Sequence, residues 1–225
     1  MKDLVVERKV LARNDSVADA NRDLFRALGA YAINLISSPG AGKTSLLEAT
    51  LRDLQDADGV RVAVVEGDVQ TENDAERLAA TGVPVEAIVT GGACHLDAAM
   101  VRRATQALAA RLPGGLDLVL VENVGNLVCP AAYDVGEDEK VALVSVTEGE
   151  DKPLKYPALF HNAATLLVTK TDLLPYLEFD VELLIQNARS VNPGLQVFPV
   201  SARSGEGMGA WRDYLLQRAR RSGAR

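Results

Sequence analysis

Ser37-Ser38-Pro39-Gly40-Ala41-Gly42-Lys43-Thr44 is the stretch on which the fold of this 225-residue chain turns. An apolar run, Ala32-Ile33-Asn34-Leu35-Ile36, precedes it, and Ser45-Leu46-Leu47-Glu48-Ala49 follows with the pattern of a helix. A strand, a small-residue loop closing on Gly-Lys-Thr and a helix make a phosphate cradle, because loop N–H groups and the positive helix end face the anion. Gly40, Ala41, Gly42 and Ser45 supply the cradle, and the Lys43 ammonium reaches the β and γ oxygens. The Thr44 hydroxyl is placed to ligate Mg²⁺. Ser37 stands at the first position, where the usual pattern has Gly. The chain reads as a nucleotide-binding protein.

Apolar, strand-sized runs recur downstream at 61–68, 85–90, 116–123, 141–146, 164–170 and 197–200. They are continuous rather than alternating, which indicates strands covered on both faces. Helical patterns separate them, including one over 96–111, so the expected fold is α/β: a single phosphate-loop NTPase domain with a doubly wound, mostly parallel sheet flanked by helices. Residues 15–28 read as a helix, with Asp15 and Ser16 as caps and Val17, Leu24 and Leu28 as its apolar stripe. This divides the chain into an N-terminal helical extension (1–30) packed on a GTPase domain (31–225).

In sheets of this kind ligands sit at the carboxyl ends of the strands. Thr169-Lys170-Thr171-Asp172 closes the sixth run and matches the [NT]-K-x-D pattern that reads guanine. An Asp172 carboxylate accepts hydrogen bonds from guanine N1–H and the 2-amino group, a pair that adenine does not offer. Lys170 would lay its alkyl stem over the ring. Thr169 replaces the pattern's Asn, so its tie to the phosphate loop is expected to be weaker. Ser201-Ala202-Arg203 matches the segment whose backbone N–H meets guanine O6. The expected ligands are GTP and GDP.

Acidic groups are needed near the γ-phosphate for Mg²⁺ and for water. Glu122-Asn123-Val124-Gly125 stands where many GTPases carry Asp-x-x-Gly, with direct and water-mediated metal contact both open to Glu122. Asp68, ending the second run, is the other candidate for Mg²⁺ or water positioning. No Gln or Arg is assignable to catalysis, so slow intrinsic hydrolysis is expected.

Cys94-His95 follows the third run, and Cys129 lies four residues past Gly125. Two thiolates and an imidazole are a soft ligand set for Zn²⁺ or Ni²⁺, with a coordination position left for water or a second subunit. His161 has no Cys or His neighbour in sequence and reads as structural or exposed.

Composition removes several function classes. Hydrophobic content of 48% and charged content of 24% are ordinary for a globular protein. A net charge of −7 lacks the basic footprint that nucleic acid demands, and the basic stretch Arg218 to Arg225 reads as a solvated helix end. No apolar run approaches the ~20 residues of a membrane span, and the N-terminus has no signal-peptide core. The expected compartment is the cytoplasm, where a Cys94–Cys129 disulfide is not expected.

Together these residues resemble HypB, the SIMIBI-class GTPases that assist nickel insertion into [NiFe] hydrogenase. The similarity runs through Asn21-Arg22, residues 34–47, Glu66-Gly67-Asp68, Cys94-His95-Leu96-Asp97, residues 122–130, residues 148–157 and Lys170-Thr171-Asp172-Leu173-Leu174-Pro175-Tyr176. The joint occurrence of Cys-His and Val-Cys-Pro is its most specific part. The resemblance implies that Cys94, His95 and Cys129 form a nickel or zinc site at a GTP-linked homodimer interface. It also implies handover of metal to a HypA-type metallochaperone and the hydrogenase large-subunit precursor. Many members carry an N-terminal cysteine motif or histidine-rich stretch. No Cys precedes Cys94 and no His precedes His95 here, so the site in the GTPase domain is expected to do the metal work. The readings in competition are a GTPase accessory protein for another metalloenzyme, a phosphate-loop small-molecule kinase, and a metal-binding module with a vestigial nucleotide site. The Cys-His and Val-Cys-Pro pair, the absence of an Arg-rich lid pattern, and intact Lys43 and Thr44 oppose them in turn.

Overall fold

β1 (Tyr31–Ser37) is buried along its whole length and lies at the centre of a seven-stranded sheet. The computed structural model describes residues 2–55 and 59–222. Met1 and residues 223–225, which belong to the expected segments and to the basic C-terminal stretch, lie outside the described residues, as do 56–58. α1 (Lys2–Leu28) precedes β1, and α2 (Lys43–Gln55) leaves the phosphate loop. The chain continues through β2 (Val62–Asp68), α3 (Asn73–Ala79), β3 (Val85–Val89), α4 (Ala98–Arg111) and β4 (Leu118–Glu122). Next come α5 (Cys129–Ala132), β5 (Glu139–Ser145), α6 (Lys152–Lys155), α7 (Pro157–Asn162) and β6 (Ala163–Thr169). A 3₁₀ turn (Thr171–Tyr176), α8 (Val181–Val191), β7 (Gln196–Pro199) and α9 (Met208–Ser222) complete it.

The strand order is β3-β2-β4-β1-β5-β6-β7, and every pairing is parallel. The seven expected runs all form strands, and the sheet is parallel throughout rather than mostly. β1 is flanked by β4 and β5; the chain leaves β1 for β2 on the β4 side and later passes from β4 across to β5, so the winding reverses beside β1 and opens a crevice at its carboxyl end.

Alternation along the strands divides the core. Ile33, Leu35 and Leu120 face Leu47 and Leu51 of α2 and Leu215 of α9. On the opposite face, Ala63, Val65 and Val121 meet Phe25 of α1 and Val101 of α4. Beside that group Ala142 and Val168 meet Phe160 of α7 and Leu184 of α8. Burying each such Leu or Phe removes apolar surface worth about 1.5–3 kcal/mol. Trp211 of α9 is 1% exposed, and its Nε1–H donates to Thr50 Oγ1 of α2 at 3.2 Å. α4 begins at Asp97, whose carboxylate accepts from Met100 N at 2.7 Å.

The first helix departs from expectation. It has no Gly or Pro to break it and starts well before Asp15 and Ser16, which are exposed mid-helix residues rather than caps. Its buried stripe is Asn14, Ala18, Asn21 and Phe25, with Val17, Leu24 and Leu28 half-buried at the margin. The two asparagines do not break the apolar face, because distant loops satisfy them. Asn14 Nδ2 donates to Asp134 O at 2.7 Å and its Oδ1 accepts from Ala98 N at 2.9 Å. Asn21 Nδ2 donates to Ala98 O at 2.8 Å and to Val135 O at 2.9 Å. Arg218 also departs: its guanidinium lies 4.7 Å from the Tyr214 ring centre and donates to the Tyr214 hydroxyl, while Arg220 and Arg221 are exposed.

Candidate functional site

The loop after β1 closes around a cavity of about 400 Å³ lined by Gly40, Gly42, Lys43, Thr44, Glu122 and Asn123, among others. Gly40 and Gly42 have φ of 74° and 94°, a left-handed backbone that turns loop N–H groups inward. Ser37, in place of the pattern's Gly, is fully buried, and its Oγ accepts from Lys43 Nζ at 3.1 Å. Burial holds the Lys43 ammonium below its ordinary range, against the pull of Glu122 and Asp74.

Thr44 Oγ1 donates to Glu122 Oε1 at 2.8 Å. Glu122 is paired in register with Glu66 on the neighbouring strand, and both are almost fully buried. Burial pushes Glu122 up to about 7, opposed by Lys43 and Thr44, and pushes Glu66 up to about 8 with Glu122 adding to it. Glu66 Oε2 and Glu122 Oε2 are buried without a hydrogen-bond partner. Two orphaned carboxylate oxygens beside a threonine hydroxyl fit a hard divalent cation such as Mg²⁺. Asp68 also lines the cavity, but its Oδ1 accepts from Gln70 N and Thr71 N at 2.8 Å each. Partial burial raises that carboxyl, and these N–H bonds outweigh burial to leave it below the usual range. The pocket also contains residues that the sequence reading left unassigned. Glu66 is one. Arg77 is another: it pairs with Glu48 at 2.6 Å and Asp74 at 2.9 Å, and sits 3.3 Å from Ser45 Oγ.

A second cavity of about 250 Å³ adjoins the first through Gly42, Ser45 and Lys170, and is lined by Asp172 and Ala202. Lys170 is the one described non-glycine residue with a left-handed backbone, at φ 62°. That turn lays its stem over Gly42 and brings Nζ within 2.7 Å of Gly40 O. The expected weak tie at Thr169 is corrected: its hydroxyl, 4% exposed with its residue, donates to Ala41 O at 2.6 Å. Ser201 also differs. Its own N–H goes to Glu206 O, and its hydroxyl donates to Asp172 Oδ1 at 2.6 Å, so it orients the carboxylate.

Cys94, His95 and Cys129 come together at the same edge of the sheet. Their ligand atoms lie within 4.8 Å of one another, and both cysteines are free thiols. Donors of a tetrahedral site with ~2.3 Å metal–sulfur bonds stand roughly 3.5–4 Å apart, so small side-chain shifts suffice to close on an ion. Burial lowers the His95 imidazole from its ordinary value, against the pull of Asp97, which favours the neutral form that a metal ligand needs. The neighbouring Cys94 and burial push the Cys129 thiol up. The His95 ring rests on Tyr133, with centroids 3.8 Å apart. His161 is exposed on α7 and outside this cluster.

A phosphate cradle, an adjoining cavity at the end of β6 and an all-parallel doubly wound sheet define a phosphate-loop nucleotide-binding protein. Residues 31–199 match the CobW/HypB/UreG nucleotide-binding domain. The chain is 58% identical over 210 residues to the hydrogenase maturation factor HypB of Azotobacter vinelandii, covering 92% of this chain and 67% of that one. It is 54% identical over 215 residues to HypB of Escherichia coli K12, covering 94% and 71%. It therefore spans about two thirds of the length of these relatives. A crystal structure of HypB from Helicobacter pylori in complex with nickel superposes with a TM-score of 0.87 at 36% identity, covering 93% of this chain and 96% of that one. The chain belongs to the CobW/HypB/UreG family and, within it, to the HypB hydrogenase maturation factors. No described helix is long and apolar enough to cross a membrane.

Proposed function

We propose that this chain is a cytoplasmic GTP-hydrolysing metallochaperone that couples GTP binding and hydrolysis to nickel delivery during [NiFe] hydrogenase maturation. The observation that carries the reading is the continuity between its two sites. Glu122, bonded to Thr44 in the phosphate cavity, begins the loop that ends at Cys129 of the Cys94–His95–Cys129 cluster. Gly125 lies midway and backs onto Pro39 so closely that a Cβ there would stand 3.0 Å from Pro39 Cα. A γ-phosphate in the cradle and a metal at Cys129 thus act on one short segment.

Lys43 neutralises the β and γ oxygens, and loop N–H groups hold the phosphates. Arg77 adds a second positive charge to the cavity. Thr44 and Glu122, with Asp68 and Glu66 beside them, would hold Mg²⁺, which when bound would supply charge neutralisation at the phosphates. Asp172 reads guanine, oriented by Ser201, and Ala202 closes the base cavity. With Arg77, the arginine of this cavity, tied to Glu48 and Asp74, no guanidinium there is committed to the leaving charge, and intrinsic turnover is slow. Residues 1–30 are a helical extension that packs on the GTPase domain of 31–225. GTP favours a homodimer, and the metal passes to a HypA-type partner and the hydrogenase large-subunit precursor. Cys94, His95 and Cys129 suit nickel or zinc, and the nickel complex of the Helicobacter pylori relative supports nickel as the cargo.

The test is a nickel titration with GDP and again with a non-hydrolysable GTP analogue, while light scattering follows mass. Nickel binding that depends on nucleotide, with a mass shift toward a dimer in the analogue, is expected. Identical isotherms and a constant mass would end the reading.

A further inference from the structure

Asn123 is 1% exposed, follows Glu122 directly, and lines the phosphate cavity. Its backbone N–H is fixed to Leu35 O of β1 at 3.1 Å. Its side-chain oxygen accepts two N–H groups from different loops, Leu96 N and Val124 N, each at 3.0 Å. Its Nδ2 donates to Asn34 Oδ1 at 3.1 Å, and Asn34 Nδ2 in turn donates to Glu137 at 3.3 Å. Leu96 is the residue after His95, and Val124 opens the loop that leads to Cys129. One carboxamide therefore holds both ligand-bearing loops at the wall of the nucleotide cavity.

Leu96 adds a second fixing point. Its fully buried side chain packs on Gly67, where a Cβ would stand 2.7 Å from it, and Gly67 lies between Glu66 and Asp68. The Cys94–His95 loop is thus tied to the phosphate pocket independently of the Gly125–Cys129 segment. Across the gap, Asn126 Nδ2 donates to Cys94 O at 3.3 Å. An Asp at 123 would accept both N–H groups but lose the donation to Asn34, and would set a third buried carboxylate beside Glu66 and Glu122.

Resting on the metal reading above, we propose that Asn123 is the positioning residue that sets the separation of the Cys94–His95 and Cys129 loops according to the state of the nucleotide pocket. It touches neither metal nor reacting atoms. It acts through the main chain at Leu96 and Val124.

The test compares Ni²⁺ affinity and the thiolate-to-nickel charge-transfer absorption of the wild type, Asn123→Ala and Asn34→Ala, each with GDP and with the GTP analogue. Asn123→Ala is expected to lower nickel affinity about 10-fold or more, as loss of an outer support does. It also brings the GDP and analogue affinities together and shifts the absorption band, while GDP affinity changes less. Asn34→Ala leaves every loop contact of Asn123 Oδ1 in place and is expected to move the same quantities less. Should Asn123→Ala unfold, Asn34→Ala, which frees the other end of the carboxamide, decides: a narrowed affinity ratio with a shifted band supports the inference, and a wild-type ratio and spectrum overturn it. A folded variant that keeps the wild-type affinity ratio and spectrum, having lost thermal stability alone, overturns the inference and leaves the function standing. A wild type that binds no nickel overturns both.

Discussion

Thr169 Oγ1 donates to Ala41 O at 2.6 Å, so the end of β6 that leads into Lys170 and Asp172 is pinned directly to the phosphate loop. Thr169→Val keeps the shape and strands a buried carbonyl. The cost of an unpaired buried acceptor is about 1–3 kcal/mol, and part of it falls on the nucleotide-bound state. Displacement of a fluorescent GTP analogue should show affinity lowered about tenfold, and Thr169→Asn should recover most of it. A Val variant binding like wild type would mean that the two segments are held together by other contacts.

Asp172, held at one oxygen by Ser201, is the residue we propose reads the base. Asp172→Asn reverses the donor pattern. GTP affinity should fall roughly 100-fold or more, with xanthosine triphosphate gaining correspondingly. Competition binding measures both, and an unchanged preference for GTP assigns the reading to another group.

Removing a thiolate from the cluster leaves two of the three proposed ligands. Cys94→Ala and Cys129→Ala should each weaken nickel binding by about 100-fold or more in a chelator competition, with GDP affinity near wild type. Equal stoichiometry in all three proteins would move the metal elsewhere.

Acid stability should depend on Asp117. Its carboxylate accepts from Arg61 N, Nε and Nη2 at 2.8, 3.0 and 2.8 Å, and the Arg61 guanidinium holds it below the usual aspartate value of 3.8. The folded protein thus binds this proton less tightly than the unfolded chain. The stabilisation is fully present above 3.8 and is lost as pH falls through the depressed value. The Arg61 side chain is 47% exposed, so solvent screening limits the gain to about 1 kcal/mol or less. Urea midpoints of Asp117→Asn and wild type should differ at pH 7 and converge toward pH 3. A constant gap across that range would exclude a titrating pair.

Much of this molecule was readable before any coordinates. The seven strands announce themselves because continuous Val, Leu and Ile runs have few other uses in a chain of this length, and the loops at their ends carry chemistry in fixed order. Cys94 and Cys129 could be assigned to one sheet edge from topology alone. What escaped is polar and buried. Asn14 and Asn21 find partners 77 to 120 residues away, so a count of apolar residues misplaces the stripe of α1. Glu66 lies inside a run that reads as plain strand, and its importance appears only when β2 lies beside β4 and faces Glu122. Asp68 shows the converse: its strand-end position suggested the phosphates, while its Oδ1 is occupied by the turn that follows.

Trp211 is the sole tryptophan of the chain, and its indole N–H grips α2 six residues beyond Thr44. The protein therefore carries a built-in optical gauge on the helix that leaves the phosphate loop. Emission that shifts between GDP and the GTP analogue would report α2 sliding against α9. A silent indole beside a responsive nickel band would confine the motion to the loops that carry Cys94, His95 and Cys129.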